Sequence, residues 1–112
     1  MSESSMRKFL YRLPRFSTDA AMDLVVGETV VLGRCLNLSE SGLQGTFSHP
    51  VPVGAEGFVT IYFGEQKFGL RARVSSLRND QAGLRFILTS DQERARVREF
   101  LKLFAPTQSP AG

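Results

Sequence analysis

The sequence predicts an all-β domain: a small antiparallel barrel of about six strands with a single C-terminal α-helix. Three observations lead there. Short apolar runs of period two follow one another, separated by Gly, Asn or Pro, which is the pattern of hairpin-connected strands. The chain lacks the strand–helix–strand alternation, and the length, of a βαβ cofactor fold. A helical stripe occurs once, near the end, behind a capping signal. With 112 residues, 42% of them hydrophobic, the chain suits one domain with one modest core. Residues 1–106 are expected to form that domain and 107–112 a polar tail.

Taken in order, Met6 to Phe16 is an arm in which Phe9, Leu10, Tyr11, Leu13 and Phe16 alternate with basic residues. Pro14 keeps Leu13 out of the helical region, so Leu13-Pro14-Arg15 is extended. Ala20 to Val26 reads as a strand, Gly27-Glu28 as its turn, and Thr29 to Leu38 as the next strand. Period two places Val30, Leu32, Leu36 and Leu38 on one face of that strand, with Gly33 marking a bend or bulge. Asn37-Leu38-Ser39-Glu40-Ser41-Gly42 makes a corner, followed by a strand from Leu43 to Phe47. Two prolines and a glycine make 49–54 a loop.

Gly57 to Phe63 is strongly β-prone on both faces, and Gly64-Glu65 turns the chain into Lys67–Leu77. Asn79-Asp80-Gln81 turns it again into a last strand, Gly83 to Leu88. Ser90-Asp91-Gln92-Glu93 has the form of a helix capping box. Val97, Leu101 and Phe104, supported by Phe100, then form a stripe suited to covering the open end of the sheet, and Pro106 stops the helix.

Charge is unevenly placed. Residues 1–16 carry Arg7, Lys8, Arg12 and Arg15 against Glu3, whereas residues 17–112 carry ten basic and ten acidic side chains. A neutral body with a cationic arm suits a small anionic ligand better than a long nucleic-acid track. No apolar run reaches the length of a membrane span, and the N-terminus lacks the apolar core of a secretion signal, so no membrane insertion and a cytoplasmic location are expected.

Catalytic patterns are absent. The chain has neither GxxxxGK[ST] nor GxGxxG, and neither paired carboxylates nor a histidine-centred set. His49 stands alone in a loop without metal-ligating neighbours, and Cys35 lies inside a strand without a basic partner. The expectation is a binding protein rather than an enzyme. Arg12 and Arg15 are planar donor forks that match phosphate or the O6/N7 edge of guanine. Asn37 and Ser39, two apart at a strand end, could add an amide and a hydroxyl. Tyr11 could stack on a base.

Arg12-Leu13-Pro14-Arg15-Phe16 together with Asn37-Leu38-Ser39-Glu40-Ser41-Gly42 resembles the signature of the PilZ domain, the bacterial cyclic di-GMP receptor module. The second segment meets the family pattern [D/N]xSxxG in full, and Gly83-Leu84-Arg85-Phe86 resembles its late strand. The resemblance runs from about Arg7 to Phe104 and implies a six-stranded PilZ-like barrel with a C-terminal helix. It also implies cyclic di-GMP as ligand, gripped between the arm and the strand end, and a protein effector as partner.

By position, Arg15 corresponds to the second arginine of the family's RxxxR, with guanine and phosphate as its contacts. Asn37 would meet a guanine edge, Ser39 would bond phosphate or hold the turn, and Gly42 would keep the corner close to the ligand. The sequence departs from the family where RxxxR wants its first arginine, because Tyr11 stands there and Arg12 comes one place late. Lys8 and Arg12 satisfy a KxxxR spacing, but that register moves the Pro-Arg pair off its usual place; otherwise Arg12 could swing into the vacant role, or Tyr11 could stack on guanine without replacing the charge. Losing one bidentate contact would cost about 1.5–3 kcal/mol, roughly ten- to hundred-fold in affinity. Two rivals follow: a protein-interaction adaptor without nucleotide, favoured by Tyr11, and a small nucleic-acid-binding barrel that stacks bases on Tyr62, Phe63 and Phe68.

Overall fold

The computed structural model describes residues 16–104. Six antiparallel strands close into one barrel in the order β1-β2-β3-β6-β5-β4. They are β1 (Phe16–Val26), β2 (Thr29–Leu38), β3 (Gly42–Phe47), β4 (Glu56–Phe63), β5 (Gln66–Arg78) and β6 (Gln81–Phe86), followed by helix α1 (Asp91–Leu101). Gly27 and Gly64 turn the first and third hairpins with φ 62° each, and Asn79 does the same between β5 and β6 at φ 58°. Asn tolerates that left-handed region better than other side-chain-bearing residues. The longer connection, 48–55, folds back against the barrel. Val51 is buried there, Gly54 N–H donates to Val74 C=O at 2.8 Å, and Val74 N–H donates to Ala55 C=O at 2.9 Å.

The expected architecture is present, with shifts at its edges. β1 begins at Phe16 rather than Ala20, and its pairing with β2 changes register between Ser17 and Ala20. β6 spans Gln81–Phe86, not 83–88: Gln81 pairs with Arg78 to complete the hairpin. Past the end of β6, Ile87 N–H is bonded to Arg71 C=O as the chain turns towards the helix.

The face of β2 differs from the expected one. Val31 and Cys35 point into the core, while Val30 and Leu32 are 58% and 63% exposed. The β2–β3 register shifts between Cys35 and Asn37, and the extra residue reverses the alternation so that Leu38 enters the core. Gly33 is not that bulge. It pairs regularly with Met22 and Phe47, and a Cβ there would strike Thr46 C=O and the Phe47 ring.

Helix α1 closes one end of the barrel. Ser90 caps it, with Glu93 N–H donating to Ser90 Oγ at 3.1 Å. The reciprocal arm of the box differs from the simple pattern, since Glu93 Oε1 accepts from Thr89 N–H at 2.8 Å and Thr89 Oγ at 3.1 Å. Val97, Phe100, Leu101 and Phe104 are buried as the stripe requires. Phe100 stacks on Phe68 at 4.7 Å between centroids, and Phe104 meets Phe63 at 4.4 Å. The helix ends at Leu101, where Lys102 N–H turns back to Glu99 and Phe100, so it stops before Pro106, which lies outside the described residues. Because Phe63 and Phe68 serve this lid, they are not available as base-stacking platforms. Tyr62 is exposed, but its hydroxyl donates to Asp23 at 2.6 Å.

Candidate ligand site at the β2–β3 corner

The corner joining β2 to β3 is a three-residue connection, 39–41, next to the cross-strand pair Leu38–Leu43, both buried. Ser39 is the one buried polar residue among those described. Its N–H donates to Gly42 C=O at 2.8 Å, and its hydroxyl donates to the same oxygen at 3.3 Å. In turn Ser41 N–H donates to Ser39 Oγ at 3.3 Å. Those bonds satisfy a hydroxyl that would otherwise be costly to bury. Ser39 therefore holds the turn, its hydroxyl engaged by the corner's own Gly42 and Ser41.

Asn37 is half-buried, pairs with Gln44 across the ladder, and donates through Nδ2 to Gln44 Oε1 at 3.2 Å. The amide pair thus forms a polar rim beside the corner. Behind it, Cys35 Sγ donates to Asn37 C=O at 3.4 Å across the bulge. Burial pushes the Cys35 thiol up to about 12, so it is a neutral core group here and not a nucleophile. Gly42 lies opposite Arg85 of β6, and a Cβ at residue 42 would strike Leu84 C=O. The close approach of two strands, rather than turn geometry, requires glycine at that position.

Tyr11, Arg12 and Arg15 lie outside the described residues. The register nevertheless fixes where the arm begins: Phe16, bonded to Arg15, pairs with Leu38, and Ser17 pairs with Asn37. The base of the cationic arm therefore meets the barrel one residue from Ser39. Asn37, Ser39 and Gly42 are brought together as the spacing suggested, with Ser39 turned inward.

Sequence reasoning passed over Gln44, Arg85 and the ion pair from Arg98 to Glu40, 3.6 Å, which ties the corner to α1. Gln44 lies two residues beyond Gly42 on the same outer face, a signal that period two carried. Arg85 belongs to the Gly-Leu-Arg-Phe segment already singled out for its resemblance. Among the described residues there is no cluster of three metal-ligating side chains and no helix long and apolar enough to cross a membrane.

A model of the PilZ domain matches residues 11–103. The chain is a PilZ domain. No curated protein sequence matches it, but solved structures do. It is similar to the "PilZ domain with c-di-GMP of YcgR from Escherichia coli" at a TM-score of 0.75 and 13% identity, covering 89% of this chain and 95% of that one. A structure of YcgR from Escherichia coli in complex with c-di-GMP gives 0.72 and 17% identity, with 89% of this chain matched to 48% of the longer one. The PilZ domain of CeSA from a cellulose-synthesizing bacterium gives 0.67 and 13%, covering 85% and 98%. At these identities the structural likeness speaks for the fold, which this PilZ domain shares down to its closed barrel and C-terminal helix.

Proposed function

We propose that this PilZ domain is a non-enzymatic receptor for cyclic di-GMP, and that ligand binding orders the N-terminal arm against the barrel rim to signal to a protein partner. The observation that carries the proposal is the pairing of Phe16 with Leu38, which starts the arginine-bearing arm beside the Asn37–Gly42 corner. The family and the c-di-GMP in the related YcgR structures support the choice of ligand. In this reading Arg15 meets guanine and phosphate, and Asn37 meets a guanine edge. Gly42 lets the corner approach the ligand, and Ser39 keeps the corner in shape. Arg12 and Tyr11 supply a second guanidinium and a stacking ring from the arm.

The test is titration of the purified full chain with cyclic di-GMP, repeated with Arg15→Ala and Asn37→Ala. Saturable binding by the wild type is expected, weakened roughly ten- to hundred-fold by Arg15→Ala, the scale of a lost charge-assisted contact. No saturable binding at physiological salt would sink the proposal. A specific departure, Tyr11 where the family has arginine, favours a second reading as a nucleotide-independent adaptor. Capture of a partner that is indifferent to the dinucleotide would favour it.

A further inference from the structure

Between the corner, the end of β6 and helix α1 lies a cavity of about 270 Å³ lined by Glu40, Ser41, Arg85, Phe86, Leu88 and Arg94. Arg85 is exposed and pairs across the ladder with Gly42, which carries no side chain to crowd it. Arg34 is paired with Asp19, Arg71 and Arg73 share Glu56, and Arg98 holds Glu40. Among the described residues the Arg85 guanidinium has no such carboxylate, and its cross-strand neighbour on β5 is another arginine, Arg73.

Arg73 is itself held by Glu56, so that carboxylate is committed to β5 and Arg85 is left to find its counter-charge elsewhere. Glu40, the one carboxylate lining the cavity, is already neutralised by Arg98 at 3.6 Å. Arg94 is only loosely engaged, at 3.9 Å from a fully exposed Asp91. The cavity therefore presents one uncommitted guanidinium, one loosely held guanidinium and the Ser41 hydroxyl, with no net negative charge of its own.

We infer that this cavity is the phosphate subsite of the corner, and that Arg85 is the barrel's own guanidinium for the phosphodiester of the dinucleotide. The inference rests on the cyclic di-GMP reading and deepens it. Arg85 takes the charge contact that Tyr11 leaves unfilled, and it does so from a rigid strand rather than from the arm. A guanidinium whose backbone is already fixed in a strand loses little backbone freedom on binding. Arg94 and the Arg98–Glu40 pair place the same anion next to α1, so an occupied subsite would be felt by the helix as well as by the arm.

The experiment compares the full-length wild type with Arg85→Gln, Arg85→Lys and, as a control, Lys67→Gln, which alters an exposed cation at the opposite end of β5, paired with Tyr62 of β4. Each is titrated with cyclic di-GMP and its thermal unfolding is recorded. Arg85→Gln is expected to weaken binding about ten- to hundred-fold with an unchanged melting temperature, the scale of one lost charge-assisted contact. Arg85→Lys should recover part of the loss, because it keeps the charge without the planar fork. Lys67→Gln should bind as the wild type does. Wild-type binding that Arg85→Gln leaves unchanged would overturn the Arg85 assignment alone. Absence of binding by the wild type would instead remove the receptor reading and this subsite with it.

Discussion

Inside the corner, the Ser39 hydroxyl already has Gly42 C=O, Ser41 N–H and the Ser41 hydroxyl as neighbours, and its residue is 1% exposed. A serine so placed keeps the loop in one shape, and under the proposed function that is how it would serve a ligand. Ser39→Ala should then lower stability by about 1 kcal/mol, the ordinary net value of a buried hydrogen bond, as read by urea denaturation. Gly42→Ala should cost more, about 1–3 kcal/mol, because the added methyl meets backbone rather than a side chain that can swing away. If Ser39→Ala reduced cyclic di-GMP affinity at unchanged stability, the hydroxyl would be a ligand donor and its bonds to the corner incidental. The motif was legible as a motif, since Asn, Ser and Gly at those spacings announce a turn whatever surrounds it. That the serine faces inward was not legible, because its orientation follows from the buried Leu38–Leu43 pair on either side.

Among the elements, the helix was the easiest to read and β2 the hardest, for one physical reason. A helix is specified by its own residues: cap, first-turn acids and apolar stripe are all local. The face that a strand buries depends also on its partner, and the bulge against β3 that reverses β2 after Cys35 leaves no mark in β2's own alternation. Local specification makes the α1 terminus the sharper test. Ser90→Ala should cost roughly 1 kcal/mol, measured by thermal or urea unfolding. The Glu93 carboxyl is held below its ordinary value of 4.5, first by the Thr89 N–H and then by the Thr89 hydroxyl. A carboxyl whose folded value is depressed contributes stability above its unfolded value and loses it as pH falls through the folded one. Stability should therefore decline as pH drops below about 4.5, and Glu93→Gln should flatten that part of the profile without changing the slope near neutrality.

Over the whole molecule, the division of labour is between a self-contained barrel and a charged arm. The six described strands close on one another, and α1 seals one end with Phe100 against Phe68. The same body is formally neutral, with ten basic and ten acidic residues over 17–112, so its attraction for an anion is local rather than global. In the proposed receptor, full ligand affinity would require both parts: guanidinium groups from the arm on one side, and the Asn37 rim with the Arg85 subsite on the other. Deleting residues 1–15 should leave a chain that melts cooperatively near the temperature of the full-length protein yet has lost most of its affinity for cyclic di-GMP. Calorimetric titration beside a thermal melt measures both quantities on the same sample. Undiminished affinity in the truncated chain would mean that the barrel face alone holds the dinucleotide. A collapse of the melt would mean that the arm is part of the folded core, and the separation of scaffold from grip would have to be abandoned.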